Sequence, residues 1–117
     1  MTARSDAVIV VGMNTNDAAS KLEALGNPTR LSLYRLLVKA GHAGLPVGVC
    51  QQRLQLAQST LSFHLKALIQ SGLVTQERQS RTLICRANFE MMTELVGFLV
   101  DECCADERCQ AQTPGAA

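Results

Sequence analysis

The chain has 117 residues, 47% of them hydrophobic, and its formal net charge at pH 7 is only +1. One Tyr, three Phe and no Trp exclude an aromatic core, so the composition predicts one small, aliphatic domain made mainly of helices. The apolar run over residues 7–11 is too short for a membrane span. Five cysteines without an export signal favour the cytoplasm and thiols that act as ligands or sensors.

Three regions are expected along the chain: a flexible N-terminal tail (1–14), a folded domain (15–104) and a C-terminal tail (105–117). Apolar spacing predicts a first helix over residues 16–25, which Gly26 can end. Asn27 as N-cap and Pro28 at the first helical position predict the start of a second helix. Since this second helix is apolar over much of its circumference, we expect it at the centre of the core.

The middle of the chain has the pattern of a helix-turn-helix followed by a hairpin. A short helix begins at Pro46, a turn covers residues 55–57, and a second helix covers residues 59–69. Two strands are predicted over residues 73–78 and 82–87, with Arg78 and Arg81 near the tip of the hairpin. The predicted fold is therefore mainly α with a small β-hairpin, a dimeric winged helix-turn-helix.

The polar face of the helix over residues 59–69 carries short hydrogen-bonding groups and one cation, but no carboxylate. Such a face suits base edges in a major groove, although an ordinary solvated face would look similar. Residues 51–88 hold five basic side chains against one acidic, which favours a phosphate-facing surface. The predicted contacts to double-stranded DNA are Gln58, Ser59, Thr60, Ser62, His64, Lys66, Arg78 and Arg81.

A last helix is predicted from Phe89 to about Cys103, because apolar residues repeat there at helical spacing. Its apolar face is broad for a small domain, which favours a subunit interface formed with the first helix. The alternative is that this face only closes the core of the monomer.

Cys103, Cys104 and Cys109 lie within seven residues of one another. Three thiolates suit As(III) or Sb(III), which are thiophilic and favour a three-coordinate pyramid. Adjacent residues on a helix point about 100° apart, so the helix should fray there and Cys109 should fold back. The alternative is three incidental thiols on a loose tail. Cys50 is expected to be a core thiol and Cys85 to be packed or partly exposed.

Three segments, LGNPTRL (25–31), STLSFHLKAL (59–68) and SGLV (71–74), resemble the ArsR/SmtB family of metal-responsive repressors. The resemblance covers about residues 16–104. It implies a homodimer that sits on operator DNA and leaves it when an inducer binds, with no organic cofactor. The C-terminal cysteines look like the clusters of arsenic-responsive members. Members often carry glycine at the wing turn, where this chain has Gln79-Ser80.

The sequence is also compatible with other functions. A repressor of the same fold could respond to a thiol oxidant or a persulfide through Cys103 and Cys104. Cys50 could also join the metal site. An enzyme with a cysteine nucleophile and His64 as base lacks an orienting acid and an oxyanion feature, so no catalytic residue is assigned.

Overall fold

Five α-helices, two single-turn 3-10 helices (Gly41–Ala43 and Ala105–Glu107) and three short strands make up the computed structural model, which describes residues 12–107. The predicted N-terminal tail up to residue 11 lies outside the described residues, as does the C-terminal tail from residue 108, which includes Cys109. In chain order the elements are α1 (Thr15–Leu25), α2 (Pro28–Ala40), β1 (Leu45–Pro46), α3 (Val47–Leu54), α4 (Gln58–Gln70), β2 (Val74–Gln79), β3 (Thr82–Ala87) and α5 (Phe89–Val100).

Asparagine side chains begin three of the helices. The side-chain oxygens of Asn14, Asn27 and Asn88 each accept the backbone N–H three residues on, at 2.8, 3.0 and 3.2 Å. Each bond satisfies a donor that the helix itself leaves without a partner. The prediction that Asn27 is the N-cap of α2 and Pro28 its first helical residue is confirmed.

The core is aliphatic and α2 lies within it, as predicted. The largest fully buried side chains of the core come from α2, α4 and the start of the hairpin, with one cysteine each from α3 and β3. They are Leu33, Leu37, Leu61, Leu68, Leu73, Val74, Cys50 and Cys85. Full burial of one such aliphatic side chain contributes about 1.5–3 kcal/mol. These residues hold α2 and α4 together and fix how the helix-turn-helix sits on the rest of the domain.

The predicted hairpin forms the wing. β2 and β3 pair antiparallel from Val74↔Ala87 to Gln79↔Thr82, which leaves a two-residue loop. Of the two loop residues, only Ser80 has a positive φ, 59°. This sign pattern matches a type II′ turn, in which the first central residue carries the positive φ. Serine thus occupies the conformation for which glycine is usually used.

A third strand was not predicted from the sequence. β1 is only two residues long and pairs with β3 at the sheet edge, so that the strand order is β1-β3-β2. Two residues show no alternation, and Pro46 is acceptable only at an edge. Gly44, just before β1, has φ +71°, and a Cβ there would lie 2.5 Å from the carbonyl oxygen of Cys85.

α5 ends at Val100, so the prediction that it reaches about Cys103 is wrong by three residues. Asp101 and Glu102 follow directly, and carboxylates are unfavourable at the negative end of a helix dipole. Asp101 itself leaves the helical path, with ψ 137°, and Glu102 after it has a left-handed φ of 63°.

A groove of about 770 Å³, lined mainly by apolar side chains, runs along α1, α2 and α5. Leu95 of α5 is only 5% exposed and belongs to the subunit's own core, whereas Leu99 on the same helix is 56% exposed. The apolar face of α5 therefore divides, one part closing the core and the other facing outward. The outward part includes Val96 and Val100, and Leu22 and Leu31 of α1 and α2 are also exposed.

Candidate nucleic-acid interface

The turn of the helix-turn-helix is built from one left-handed residue. Gln55 follows α3 with φ 54° and ψ 49°, and its N–H bonds back to the last turn of that helix. α4 begins two residues after the turn at Gln58, with Ala57 as an N-cap that has no side-chain acceptor. The first N–H groups of α4 thus have no side-chain cap, and such groups at a helix N-terminus bind phosphate readily.

Five of the six predicted contact residues on α4 lie on its exposed surface, where the sequence predicted them. They are Gln58, Ser59, Thr60, Ser62 and Lys66. The inner surface of the helix carries Leu61, Leu65 and Leu68, all buried. α4 is therefore oriented with its small hydrogen-bonding groups and its one cation toward solvent.

His64 does not lie on this surface, and its predicted placement on the polar face is wrong. It is only 8% exposed, and Arg30 of α2 donates from Nε to its Nδ1 at 3.2 Å. Burial, and secondarily the charge of Arg30, lower the pKa of His64 below its usual value. A neutral imidazole can accept the Arg30 bond, so His64 holds α4 on α2.

Phe63 is an exposed residue of α4 that was not among the contacts predicted from the sequence. Its ring is 66% exposed, and it shares a helix stripe with Ser59, four residues before, and Lys66, three residues after. The guanidinium of Arg30 lies 5.8 Å from the ring centroid. An exposed apolar ring on this helix can contact the methyl group of thymine. Helical spacing from Ser59 and Lys66 was the signal that could have found it.

The wing presents two arginines at its tip. Arg78 and Arg81 are exposed, and neither forms an ion pair within residues 12–107. Arg86, by contrast, donates to Glu77 Oε1 at 2.6 Å and to the carbonyl of His42 at 2.9 Å. The bond from Arg86 is the main reason why the pKa of Glu77 is lowered. Arg78 and Arg81 are thus exposed at the wing tip, where the sequence placed them, whereas Arg86 is bonded within the domain. Contact of the two exposed arginines with phosphate stays a prediction.

Cys103 and Cys104 lie after the end of α5, both exposed, with their sulfur atoms 3.7 Å apart. The left-handed φ of Cys104, 60°, permits this proximity, which a regular helix would not. Contact with Cys104 raises the pKa of Cys103. Within the described part of the chain no cluster of three or more His, Cys, Asp or Glu could hold a metal, and Cys109, the third predicted ligand, lies outside that part.

Cys50 and Cys85 are both fully buried. Cys50 is therefore a core thiol, as predicted. It lies inside the domain, whereas the Cys103–Cys104 pair is at the surface, so the described geometry does not bring Cys50 into that pair.

The comparisons with known proteins agree with this geometry. A family model described as a helix-turn-helix domain matches residues 25–77. The biofilm growth-associated repressor of Xylella fastidiosa (strain 9a5c) is 32% identical over 93 residues, which cover 80% of this chain and 79% of that protein. The nodulation protein NolR of Rhizobium meliloti is 34% identical over 84 residues, 72% of this chain and 66% of that protein.

Solved structures show the same fold. HlyU from Vibrio cholerae is 33% identical with a TM-score of 0.59, over 74% of this chain and 97% of that one. An ArsR family transcriptional regulator superposes with a TM-score of 0.69 at 20% identity, over 86% and 100% of the two chains. A homodimeric winged helix-turn-helix domain from Mycobacterium bovis has a TM-score of 0.60 at 24% identity, over 89% and 100%.

No helix within residues 12–107 has the length and apolar character needed to span a bilayer. The related proteins are transcriptional regulators, which confirms that this family is not a family of enzymes. Three observations indicate the same family: the sequence identity to the Xylella repressor over four fifths of the chain, the match to the helix-turn-helix model, and the presence of the wing. The chain belongs to the family of helix-turn-helix repressors that includes the biofilm growth-associated repressor, and it has the winged helix-turn-helix fold of an ArsR family regulator.

Proposed function

We propose that this protein is a homodimeric repressor that leaves its operator DNA when As(III) or Sb(III) binds Cys103, Cys104 and Cys109. The observation that carries the inducer is the pair of exposed sulfur atoms 3.7 Å apart at the end of α5. The DNA-binding part is supported by the exposed face of α4 and by the two wing arginines without ion-pair partners in residues 12–107.

The homodimer is supported by the groove along α1, α2 and α5. Exposed leucines and valines beside a groove of this size are an apolar surface that a second copy would cover. Tyr34, which lines the same groove, has a buried hydroxyl with no hydrogen-bond partner among the described residues. A related structure from Mycobacterium bovis is described as homodimeric. A two-fold dimer would place two copies of α4 in major grooves about one helical turn apart.

The inducer chemistry follows from the thiols. Arsenious acid, As(OH)₃, can exchange its three hydroxide groups for three thiolates, and each S–H proton leaves with one hydroxide as water. Cys103 and Cys104 already lie side by side, and Cys109 follows five residues later. Because the site would close directly after α5, which borders the groove, binding can shift the packing of the two subunits and thereby the spacing of the two α4 helices.

The sulfur contact also favours a second candidate function. A thiol oxidant could take two electrons and two protons from these two thiols, 3.7 Å apart, and leave a disulfide. Alternatively, a persulfide could transfer its outer sulfur atom to one of them and leave as a thiol. The two functions differ in what happens to the thiols. If As(III) binds stoichiometrically, releases the DNA and leaves the number of free thiols unchanged once the arsenic is removed, the protein responds to As(III) and not to oxidation.

The sensor prediction concerns the three C-terminal thiols. As(III) should weaken DNA binding of the parent protein by about 5- to 150-fold, the usual range of allosteric coupling. Serine at Cys103, Cys104 or Cys109 should leave DNA binding intact and abolish release, because a hydroxyl is a poor ligand for a soft ion. Fluorescence anisotropy of a labelled duplex measures both. Cys85→Ala is the matched control and should still respond; loss of release in Cys50→Ala with retention in Cys109→Ser would contradict the assignment.

The dimer prediction uses Leu99→Glu. A carboxylate in the outward-facing part of the groove would be buried without a partner in a dimer, which costs several kcal/mol. Sedimentation at micromolar concentration should show a dimer for the parent and a monomer of unchanged helicity for the variant. Thr93→Glu, at an exposed position outside the groove, is the control and should remain dimeric. Leu95→Glu is unsuitable, since Leu95 belongs to the subunit core. A monomeric parent would refute the interface.

The wing prediction concerns salt dependence. Arg78→Ala or Arg81→Ala should each remove one phosphate contact per subunit and reduce the salt slope of binding by about 1 per contact. A duplex of random sequence is a sufficient probe, because phosphate contacts carry no sequence information. Arg86→Ala, on the same wing but bonded to Glu77, should keep the parent's slope. If Arg78→Ala and Arg81→Ala also keep the parent's salt slope, the wing tip does not touch phosphate.

The base-reading prediction concerns Phe63. In a duplex selected from a random pool, replacing one thymine of each half-site by uracil removes only the methyl group. Loss of one buried methyl should weaken the parent by about 0.8 kcal/mol, roughly fourfold, per half-site. Phe63→Ala should bind the thymine and uracil duplexes equally, whereas Phe63→Leu should keep part of the difference. A full uracil penalty in Phe63→Ala would show that another residue contacts the methyl.

A further inference from the structure

One arginine side chain joins three helices of the domain. Arg30, in the first turn of α2, donates from Nε to Nδ1 of His64 on α4 at 3.2 Å. Its Nη1 donates to the backbone carbonyl of Ala24, near the end of α1, at 3.4 Å. The backbone N–H of Arg30 is itself bonded to the side chain of Asn27 at 3.0 Å. The guanidinium group therefore has a fixed place between α1 and α4.

The fixed guanidinium group also faces the ring of Phe63, with 5.8 Å between its central carbon and the ring centroid. The rings of Phe63 and His64 lie edge to face, with their centroids 5.4 Å apart. His64 is buried, whereas Phe63 is exposed. Arg30, Phe63 and His64, called the Arg30 cluster below, thus extend from the interior of the domain to the exposed surface of α4.

The Arg30 cluster restricts the ring of Phe63 before any DNA is bound. An exposed phenylalanine side chain would otherwise exchange between rotamers, and it would lose this freedom on binding. A cation over the face of the ring favours one orientation of the ring. Because the guanidinium group is planar and its Nε is bonded to His64, the cation itself keeps one orientation. Part of the entropic cost of contacting a base is therefore met in the free protein.

We propose that Arg30 is a positioning residue for sequence recognition, which holds the Phe63 ring in the orientation that reads base edges while making no contact with DNA itself. This role rests on the proposed reading of DNA by α4. It differs from the role of Arg78 and Arg81, since their proposed contacts are to phosphate, which carries no sequence information. Loss of the Arg30 side chain should therefore lower sequence specificity and leave nonspecific binding unchanged.

The Arg30 cluster requires a neutral His64, because only an unprotonated Nδ1 can accept the bond from Arg30. Burial, and secondarily the charge of Arg30, lower the pKa of His64, so the imidazole is neutral at any pH above this pKa. As the pH falls through the pKa, His64 gains a proton, the bond is lost and two cations stand side by side. Sequence specificity should therefore decrease as His64 becomes protonated.

The charged groups of the other elements packed on α4 leave the direction of this effect unchanged. Glu23 of α1 is exposed and shares a small polar pocket with Arg30. Glu77 of β2 is bonded within the wing, and Lys66 on α4 itself is exposed. Among these charged groups, Arg30 is the one that shifts the pKa of His64.

The test measures sequence specificity as a ratio, the affinity for a duplex selected from a random pool over the affinity for a random-sequence duplex. Arg30→Met keeps the length of the side chain and removes its charge and its donors. It should lower the ratio roughly two- to fivefold per half-site, the equivalent of an exposed cation–π contact, with the salt slope unchanged. Arg30→Lys, which keeps the cation but not the planar fork, should retain part of the ratio. Lys21→Met removes a cation of α1 outside the cluster, and this matched control should equal the parent.

Three results would decide against this role. An unchanged ratio in Arg30→Met, with the helicity of the parent, overturns the proposal. A salt slope that is lower by about 1 per subunit in this variant also overturns it, because Arg30 would then contact phosphate. A parent that prefers no sequence refutes the proposed reading of bases by α4, and the role of Arg30 with it. That failure is recognised from the parent alone, before any variant is measured.

A pH profile of the parent covers the case in which an Arg30 variant does not fold. The ratio is measured as the pH is lowered from about 8 until His64 is protonated, which NMR of the ring protons of the two histidines reports. The ratio should fall with the protonation of His64 and not with that of His42. His64→Asn, whose side-chain oxygen can still accept the Arg30 bond, should keep the ratio constant over the same range. A parent ratio that stays constant while His64 becomes protonated overturns the proposal.

Discussion

The burial of the inner face of α4 against α2 is the contact on which the rest of the structure depends. Leu61 and Leu68 pack in the same aliphatic cluster as Leu33 and Leu37, and this packing fixes the rotation of α4 about its own axis. Rotation of a helix by one residue would move every outward group by about 100°. Arg30, which is not part of this cluster, also helps to fix the rotation of α4. Its guanidinium group bonds to the buried His64 and also lies near the exposed Phe63.

The order and type of the main elements could be predicted, because helical periodicity, the Asn27-Pro28 cap and two strand-like runs are local signals in the sequence. What the sequence did not show depended on contacts between distant residues. β1 exists only because β3 offers it a pairing edge. The end of α5 depends on the extended ψ of Asp101 and on the unfavourable place of its carboxylate at the negative end of the helix dipole. The spacing of apolar residues carries no information on either.

The candidate site was predictable to the same extent. Small polar residues on α4 and arginines at the wing tip were found from composition and spacing alone, and the structure exposes them. His64 was assigned to the polar face because histidine is a polar residue type. In the structure it lies at the same helical spacing as the buried leucines and accepts a hydrogen bond from Arg30 of α2. Phe63 was missed for the converse reason, since an aromatic residue is usually assigned to the core.

Pro46 belongs to two parts of the fold at once. It ends β1 and is also the N-cap of α3, so no linker residue separates β1 from α3. At the other end of the helix-turn-helix, residues 71–73 join α4 to β2. A hinge needs a few residues whose φ and ψ can change, and a proline with a fixed φ between β1 and α3 provides none. The junction between β1 and α3 therefore offers no hinge. A rotation of the recognition helix relative to the wing would have to come from residues 71–73, where Gly72 has a positive φ of 84°.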